Sequence, residues 1–401
     1  MSCSTLLLLL ALPAGLAAQT IAVRGATVHT AAGPPIANAT IVVRDGKIAS
    51  VGRDVPIPAG AKIYEAAGKI ITPGMLDEHS HVGAKPSDLN DRPMVIGPQH
   101  RFIDALDLDD PDWLMAMQGG VTTLITGPGS GENVSGQAIV IKTFGTDLAK
   151  RVVNERGGMK FAMGPKSQDR YPTTSMGVAA NLRQYLIRTQ EYVAAQKRWD
   201  EGDKKGTPPA RDLGMEAMAD VLSGKQRVRA HVHSASDVMT LLRLKDEFGF
   251  DLTLHHSTDA YKLAPEIAKR GVNAVVLPLG PRIGVSEEAM EGPYVLWKAG
   301  VRIAMHTDHP VIHQKWLRLC AALAMRYGLP EDEALKAVTI NTATIARVAN
   351  RVGSLEPGKD ADFIVFNGPW YEAKSRVDMV FGDGALLYDR AEEEKKAGAR
   401  Q

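Results

Sequence analysis

The segment PGMLDEHSH, residues 73–81, places two histidines two positions apart at the end of a short apolar run. In an extended chain, residues i and i+2 point to the same side, so the imidazoles of His79 and His81 can converge on one ion. Imidazole nitrogen suits Zn²⁺ and its first-row neighbours as a ligand. The segment therefore predicts a strand that carries half of a metal site at its carboxyl end.

Further apolar segments predict strands throughout the middle of the chain. With the first, eight predicted strands lie near residues 74–77, 121–125, 138–141, 159–163, 227–231, 251–255, 273–277 and 301–305. The last four recur at intervals of about 20 to 30 residues, the length of a βα unit, which favours a parallel sheet covered by helices. Eight strands are the number that a (β/α)₈ TIM barrel requires. The third segment, within SGQAIVIKTFG, also fits one arm of a hairpin.

Both ends of the chain have a different texture, with short β-branched runs separated by tight turns. Asp45-Gly46 between two apolar alternations is a strong hairpin signal and predicts a small antiparallel sheet, and Gly382-Asp383-Gly384 marks a similar turn near the other end. Because chain ends often lie close together, both ends are expected to build one small β-sandwich domain. The expected division is a signal peptide at 1–18, a β-sandwich from 19–73 and 351–392, the barrel at 74–350 and a flexible tail at 393–401.

The overall charge limits the partners of this protein. Its 401 residues contain 47 Lys and Arg against 46 Asp and Glu, a net charge of +1. This balance gives no basic field of the kind that attracts nucleic acid or an anionic membrane. A small-molecule substrate is therefore expected, no nucleic acid is expected, and a homo-oligomer is left open.

The first eighteen residues, MSCSTLLLLLALPAGLAA, are apolar and end in small residues. They predict a secretory signal peptide cleaved near Ala18, because the run is shorter than the roughly 20 apolar residues of a membrane span. The mature protein is then periplasmic or secreted and has no integral membrane span. Cys3 lies in the removed segment, which leaves Cys320 alone and excludes an intrachain disulfide.

Histidines follow four of the predicted strands. The groups are His79 and His81 after the first, His231 and His233 after the fifth, His255 and His256 after the sixth, and His306, Asp308 and His309 after the eighth. In a barrel, the carboxyl ends of all strands meet on the face where active sites lie. One such histidine is usually an ordinary hydrogen-bonded residue, but four strands with the same ending predict a metal site. A metal there lowers the pKa of water to about 7.

Several of these segments together resemble the amidohydrolase superfamily in its imidazolonepropionase-like branch. They are PGMLDEHSH, HVH, LHHSTD, HTDHP and the long segment AVTINTATIARVANRVGSLEPGKDADFIVF, so the resemblance covers nearly the whole mature chain. It implies a distorted (β/α)₈ barrel with a composite β-sandwich made from both ends. It also implies a metal-dependent hydrolase of C–N bonds that uses one or two Zn²⁺ ions, or another divalent first-row metal.

The resemblance assigns roles to individual residues. Its metal ligands match His79, His81, His231, His256 and Asp308. Asp308 is also the expected general base, and His233 is expected to help hold the oxyanion. His231 and His233 remain alternatives for the strand-five ligand. His306 and His309 are expected to contact substrate or support the ligands, with ordinary structural roles equally open.

One feature departs from the family pattern. Members with two metals carry a bridging carboxylated Lys or a Glu at the end of strand three or four, whereas this chain reads MGPKSQ at residues 163–168. Three alternatives stay open at this point. Lys166 is the carboxylated bridge, Glu132 reaches in from the preceding Gly-rich loop, or the site holds a single metal.

The reaction expected from the resemblance is hydrolysis of an amide, cyclic amide or peptide-like C–N bond. The alternatives are a deaminase that acts on a ring C–NH₂ group and an inactive metal-binding scaffold. Specificity is expected in the loops KPSDLNDRPMVIGPQHRFID and LGPRIGVSEEAMEGP, the second of which contains Arg282 as a possible carboxylate contact. The Gly-rich segment GPGSG, residues 127–131, lacks the Gly, Lys and Ser/Thr that complete a phosphate-binding loop.

Overall fold

The computed structural model describes residues 20–91, 93–166, 171–279 and 286–398. The predicted signal peptide and Arg282 lie outside the described residues. A search of the described helices finds none that is both long and apolar enough to span a membrane.

Strands and helices alternate through most of the described chain. The strands are β1 (Ile21–Val28), β2 (Ile36–Arg44), β3 (Lys47–Gly52), β4 (Lys62–Glu65), β5 (Ile70–Pro73), β6 (Met75–Ser80), β7 (Val121–Thr126), β8 (Val134–Lys142), β9 (Val152–Ala162), β10 (Val228–Val232), β11 (Leu252–His256), β12 (Asn273–Val276), β13 (Ile303–Met305), β14 (Phe363–Phe366), β15 (Val377–Gly382) and β16 (Ala385–Asp389). The α-helices are α1 (Asp112–Gln118), α2 (Leu148–Arg151), α3 (Ser175–Glu201), α4 (Leu213–Leu222), α5 (Ala235–Phe248), α6 (Ala264–Lys269), α7 (Glu287–Met290), α8 (Gly292–Lys298), α9 (Leu317–Arg326), α10 (Glu331–Ala337), α11 (Ile340–Ile345) and α12 (Arg390–Gly398).

Strands from both chain ends form one sheet in the order β16-β15-β14-β5-β1-β2-β3, with β4 also paired to β1. The hairpin β2–β3 turns at Asp45-Gly46, where φ is 51° and 74° as a two-residue hairpin turn requires. The prediction of an antiparallel sheet is only partly correct, because β1 runs parallel to both β4 and β5. After β3, the strands β4 and β5 run in the same direction as β1. The hairpin signal at Asp45-Gly46 therefore predicted the pairing of β2 with β3 and not the pairing of β1 with β4 and β5.

The eight predicted central strands form the second sheet, in the order β6 to β13. A bridge between Ser80 and His309 brings its two edges together, and this nearly closed sheet confirms the predicted distorted (β/α)₈ barrel with a second β-rich part. Strand β8 is antiparallel to both β7 and β9, so the hairpin interpretation of the third segment is correct and the barrel is distorted there.

Helices cover the outside of the barrel through apolar stripes. Helix α3 buries Val178, Leu182, Leu186 and Thr189, a spacing of three to four residues that lines one helical face. Helix α5 begins directly after the segment that carries His233, and the Ser234 side chain caps it by accepting a hydrogen bond from Asp237 N. Residues 393–398 of the expected flexible tail are helical as the end of α12, in which Lys395 pairs with Glu392.

A buried lysine joins the barrel to the terminal sheet. The Lys142 side chain, at the end of β8, is 1% exposed, and its Nζ lies 2.8 Å from Asp360 Oδ2, 3.1 Å from Asp362 Oδ2 and in contact with Asp383. Burial alone would lower the pKa of Lys142, but the carboxylates of Asp362 and Asp383 outweigh it and raise the pKa. The ammonium group of Lys142, from the barrel sheet, thus pairs with carboxylates next to the terminal sheet.

We expect Lys142→Met to destabilise the protein by about 3 to 5 kcal/mol, because it leaves the buried carboxylate of Asp362 without the cation that pairs with it. The measurement is the midpoint of thermal unfolding, which should fall by at least about 5 °C. The matched control is Lys150→Met, whose side chain is 86% exposed and 3.8 Å from Asp147, a surface pair worth little. Equal midpoints for the two variants would contradict the role of Lys142.

Candidate metal centre

Four strands of the barrel deliver the predicted site residues to one face. His79 lies in β6 with His81 just after it, His231 lies in β10 with His233 just after it, His256 ends β11, and Asp308 follows β13. The backbone N–H of Asp308 donates to the carbonyl oxygen of His79 at 3.0 Å, which ties the last strand segment to the first. All the ligands implied by the resemblance therefore meet at the predicted end of the barrel.

Two of these residues hold an unusual backbone conformation. His256 has φ of 64° and Asp308 has φ of 52°, in the left-handed region of backbone conformation that residues other than glycine rarely adopt. Such a conformation costs about 1 to 3 kcal/mol and is retained where the surroundings hold it, commonly at functional sites. Both residues lie at the point where a strand gives way to its loop.

Asp308 lies between the two histidines of the opening segment. Its Oδ1 is 3.3 Å from His79 Nε2 and 3.4 Å from His81 Nε2. Burial would raise the pKa of Asp308, but the adjacent rings of His81 and His306 outweigh it and hold the pKa below its usual value. The cluster therefore has an ionised carboxylate beside the neutral imidazole of His79.

Within the described residues, two groups of three have ligand atoms close enough to share a metal ion. One is His79, His256 and Asp308, and the other is His231, His233 and His256, with all ligand atoms in each group within 4.8 Å of one another. His256 belongs to both, so the two positions are adjacent. Both alternatives for the strand-five ligand, His231 and His233, lie in the second group.

The chemistry of these side chains fits a divalent metal ion. His79, His231 and His256 are neutral, because burial holds the pKa of each well below the usual value for histidine. The buried Nε2 of His256 lacks a hydrogen-bond partner among the described residues, although a buried polar atom normally has one. Neutral imidazoles beside a carboxylate form the nitrogen and oxygen donor set that Zn²⁺ prefers. The family's metal therefore fits the residues present.

The remaining predicted histidines surround this cluster. His255 Nδ1 lies 3.1 Å from His79 Nδ1, and His255 belongs to neither ligand group. The His306 ring stacks on His79 at 5.1 Å between centroids, and burial lowers its pKa to about 3. His309 Nε2 lies 2.8 Å from Asp112 Oδ2 and so is engaged by α1.

Lys160 is a member of the site that sequence reasoning missed. It is buried in β9, and its Nζ lies 2.8 Å from His79 Nε2. Burial lowers its pKa to about 7. A lysine between Met159 and Phe161, inside a predicted apolar strand, was the signal that could have found it.

The two residues considered as bridges have other surroundings. Lys166 Nζ donates to Met163 O at 2.9 Å, and burial lowers the pKa of Lys166 to about 8. Glu132 is buried, and its carboxylate oxygens lack hydrogen-bond partners among the described residues. Glu132 belongs to neither of the two ligand groups.

Asp77, in β6, holds two segments of the candidate metal centre together, and the sequence analysis did not identify it. Its carboxylate accepts hydrogen bonds from His79 N at 3.2 Å, from Thr307 N at 3.1 Å and from the Thr307 hydroxyl. Burial raises its pKa to about 7. Asp77 therefore links the strand that carries His79 to the segment that carries Asp308.

Comparisons with known proteins identify similar chains. The model of the amidohydrolase family matches residues 210–387, a range that contains His231, His256 and Asp308 and begins after His79 and His81. Amidohydrolase tasK of Hapsidospora irregularis is 28% identical over 389 residues, which are 87% of this chain but only 40% of that protein. Imidazolonepropionase of Thermoplasma volcanium is 24% identical over 90% of this chain and 93% of its own length. The crystal structure of an amidohydrolase from Thermotoga maritima MSB8 is 34% identical, with a TM-score of 0.85 over 92% of this chain and all of that one.

Proposed function

Because this chain belongs to the amidohydrolase family and is a hydrolase of carbon–nitrogen bonds, we propose that it cleaves an amide, a cyclic amide or a peptide-like substrate with a bound divalent metal ion. The observation that carries the proposal is the carboxylate of Asp308 beside two histidines. Its Oδ1 lies 3.3 Å from His79 Nε2 and 3.4 Å from His81 Nε2. A base next to the ligands is what metal-assisted hydrolysis requires.

The residues that would hold the ion are His79, His81, His231, His256 and Asp308. A divalent ion such as Zn²⁺, when bound there, polarises a substrate carbonyl and lowers the pKa of water. The Oδ1 atom of Asp308 faces the histidines. We assign Oδ2 as the general base, which accepts a proton from the attacking water and then donates it to the leaving nitrogen. His233 donates the hydrogen bond that stabilises the developing oxyanion.

Lys160 is our candidate for the group that bridges two ions. Its Nζ lies 2.8 Å from His79 Nε2, in contact with one ligand group, whereas Lys166 Nζ donates to a backbone carbonyl. Carboxylation joins the neutral amine of Lys160 to dissolved CO₂ and releases one proton, which yields a carbamate with two oxygen atoms. Such a group would offer its two oxygen atoms as ligands to divalent ions held by the neighbouring histidines.

The test combines metal content with activity. Protein purified without chelator is assayed by elemental mass spectrometry and offered a panel of amides, cyclic amides and short peptides beside amino-substituted nucleobases. We expect at least one ion per chain and cleavage of a member of the amide set. Ammonia released from the nucleobases alone would replace this proposal by a deaminase. A chain that holds no metal and takes up none on titration with Zn²⁺ would refute it.

A further inference from the structure

A single loop contacts histidines from two different strands of the metal centre. This loop, residues 127–131 with the sequence GPGSG, connects β7 to β8. The carbonyl oxygen of Gly127 lies 2.7 Å from His81 Nδ1, and the hydroxyl oxygen of Ser130 lies 3.0 Å from His231 Nδ1. We call residues 127–131 the clamp loop.

The first contact fixes the tautomer of His81. A carbonyl oxygen can only accept a hydrogen bond, so Nδ1 of His81 must carry the proton and donate it. In the neutral form of the ring, the lone pair is then on Nε2, the nitrogen that faces Asp308 at 3.4 Å. A neutral imidazole binds a metal through the nitrogen that lacks the proton, so this contact selects Nε2 as the ligand atom.

The second contact fixes the tautomer of His231 in the same way if the Ser130 hydroxyl accepts a hydrogen bond from Nδ1–H of His231. A neutral imidazole carries its one proton on either Nδ1 or Nε2, and the Ser130 hydroxyl lies next to Nδ1. When Nδ1–H donates to the Ser130 hydroxyl, Nε2 keeps its lone pair for the ion. The clamp loop would thus orient a ligand from β6 and a ligand from β10 together.

The clamp loop is itself held by the segment that follows β6. Gly129 N donates to Leu89 O at 2.7 Å, and Gly131 N donates to the side-chain oxygen of Asn90 at 2.6 Å. A Cβ atom added to Gly129 or to Gly131 would lie 2.5 Å from that same Asn90 oxygen. The two glycines therefore allow the close approach of Asn90, which belongs to a loop expected to govern specificity.

We propose that the clamp loop fixes the metal-facing tautomers of His81 and His231, and that Ser130 and Asn90 are positioning residues for the metal centre. This inference rests on the proposed function, because it gives the histidines a metal to face. Removal of a partner that orients a metal-binding histidine typically weakens metal affinity by about 10-fold to 100-fold. Asn90 acts one step further away, through the backbone of Gly131.

The first measurement is metal affinity, by competition of Co²⁺ or Zn²⁺ between the full-length protein and a chromophoric chelator. Ser130→Ala should weaken binding by about 10-fold to 100-fold. Ser130→Thr keeps the hydroxyl and should restore it. Ser135→Ala is the matched control, because Ser135 is a buried serine on the strand that follows the clamp loop and its hydroxyl lies 3.5 Å from a backbone carbonyl. Asn90→Ala should weaken binding and Asn90→Asp, which keeps the acceptor, should not.

The second measurement separates the clamp from the proposed function. Ring ¹⁵N chemical shifts of the metal-free protein report which nitrogen of His231 carries the proton. We expect an Nδ1–H tautomer in the wild-type protein and in Ser130→Thr, and its loss in Ser130→Ala. An unchanged tautomer and unchanged metal affinity in Ser130→Ala would overturn the inference. A wild-type protein without metal affinity would refute the proposed function, and the ring shifts alone would then support or overturn the clamp.

Discussion

The variant Asp308→Asn should keep its metal and lose turnover by at least about 100-fold. The amide oxygen of Asn can still face His79 and His81, which lie 3.3 and 3.4 Å from Oδ1 in the native protein. The amide cannot accept and pass on a proton, so the water and the leaving nitrogen lose their shared base. The measurements are metal content per chain and kcat on whichever amide the panel identifies.

A matched control keeps this result specific. Asp332→Asn makes the same chemical change at a carboxylate that is 68% exposed and pairs with Lys336 on the surface. Its kcat should equal that of the wild-type protein. An Asp308→Asn variant with an undiminished rate would remove Asp308 from the role of base. Loss of metal together with rate would mean that its charge is needed as a ligand.

The positions of the strands were predictable because burial leaves a pattern in the sequence. The eight apolar segments correspond to β6 through β13, since each strand must be apolar where it lines a barrel packed on both faces. The direction of β8 was not predictable from that pattern. Alternation and apolarity are the same in either direction, and only the pairing of β8 with β7 and β9 shows that it runs antiparallel.

The site was predictable where its residues follow strand ends and hidden elsewhere. His79, His256 and Asp308 were found because the carboxyl ends of barrel strands meet on one face. Lys160 was missed because it lies within β9 and not after it, and the sequence does not show that its amine lies next to His79. The contacts of Gly127 and Ser130 were equally hidden, since Ser130 meets His231 across a separation of 101 residues that only the fold closes.

Lys160 also carries the second large expected effect. The variant Lys160→Met preserves most of the buried volume but removes the amine that lies 2.8 Å from His79 Nε2. If Lys160 forms the bridging carbamate, this variant should bind less metal per chain and lose kcat by at least about 100-fold, because one ligand position and its charge are gone. Metal content and kcat are measured on the same preparation.

Lys166→Met is the control that decides between the two lysines. Lys166 donates to Met163 O, and the residues 163–168 were the sequence-based location of the bridge. Protein prepared in ¹³C-bicarbonate should show a carbamate carbon resonance in the wild type and in Lys166→Met, and none in Lys160→Met. The opposite pattern would assign the bridge to Lys166. If none of the three proteins shows the resonance, neither lysine is carboxylated. The site would then hold a single ion per chain, and Asp308 would act as the base beside that one ion.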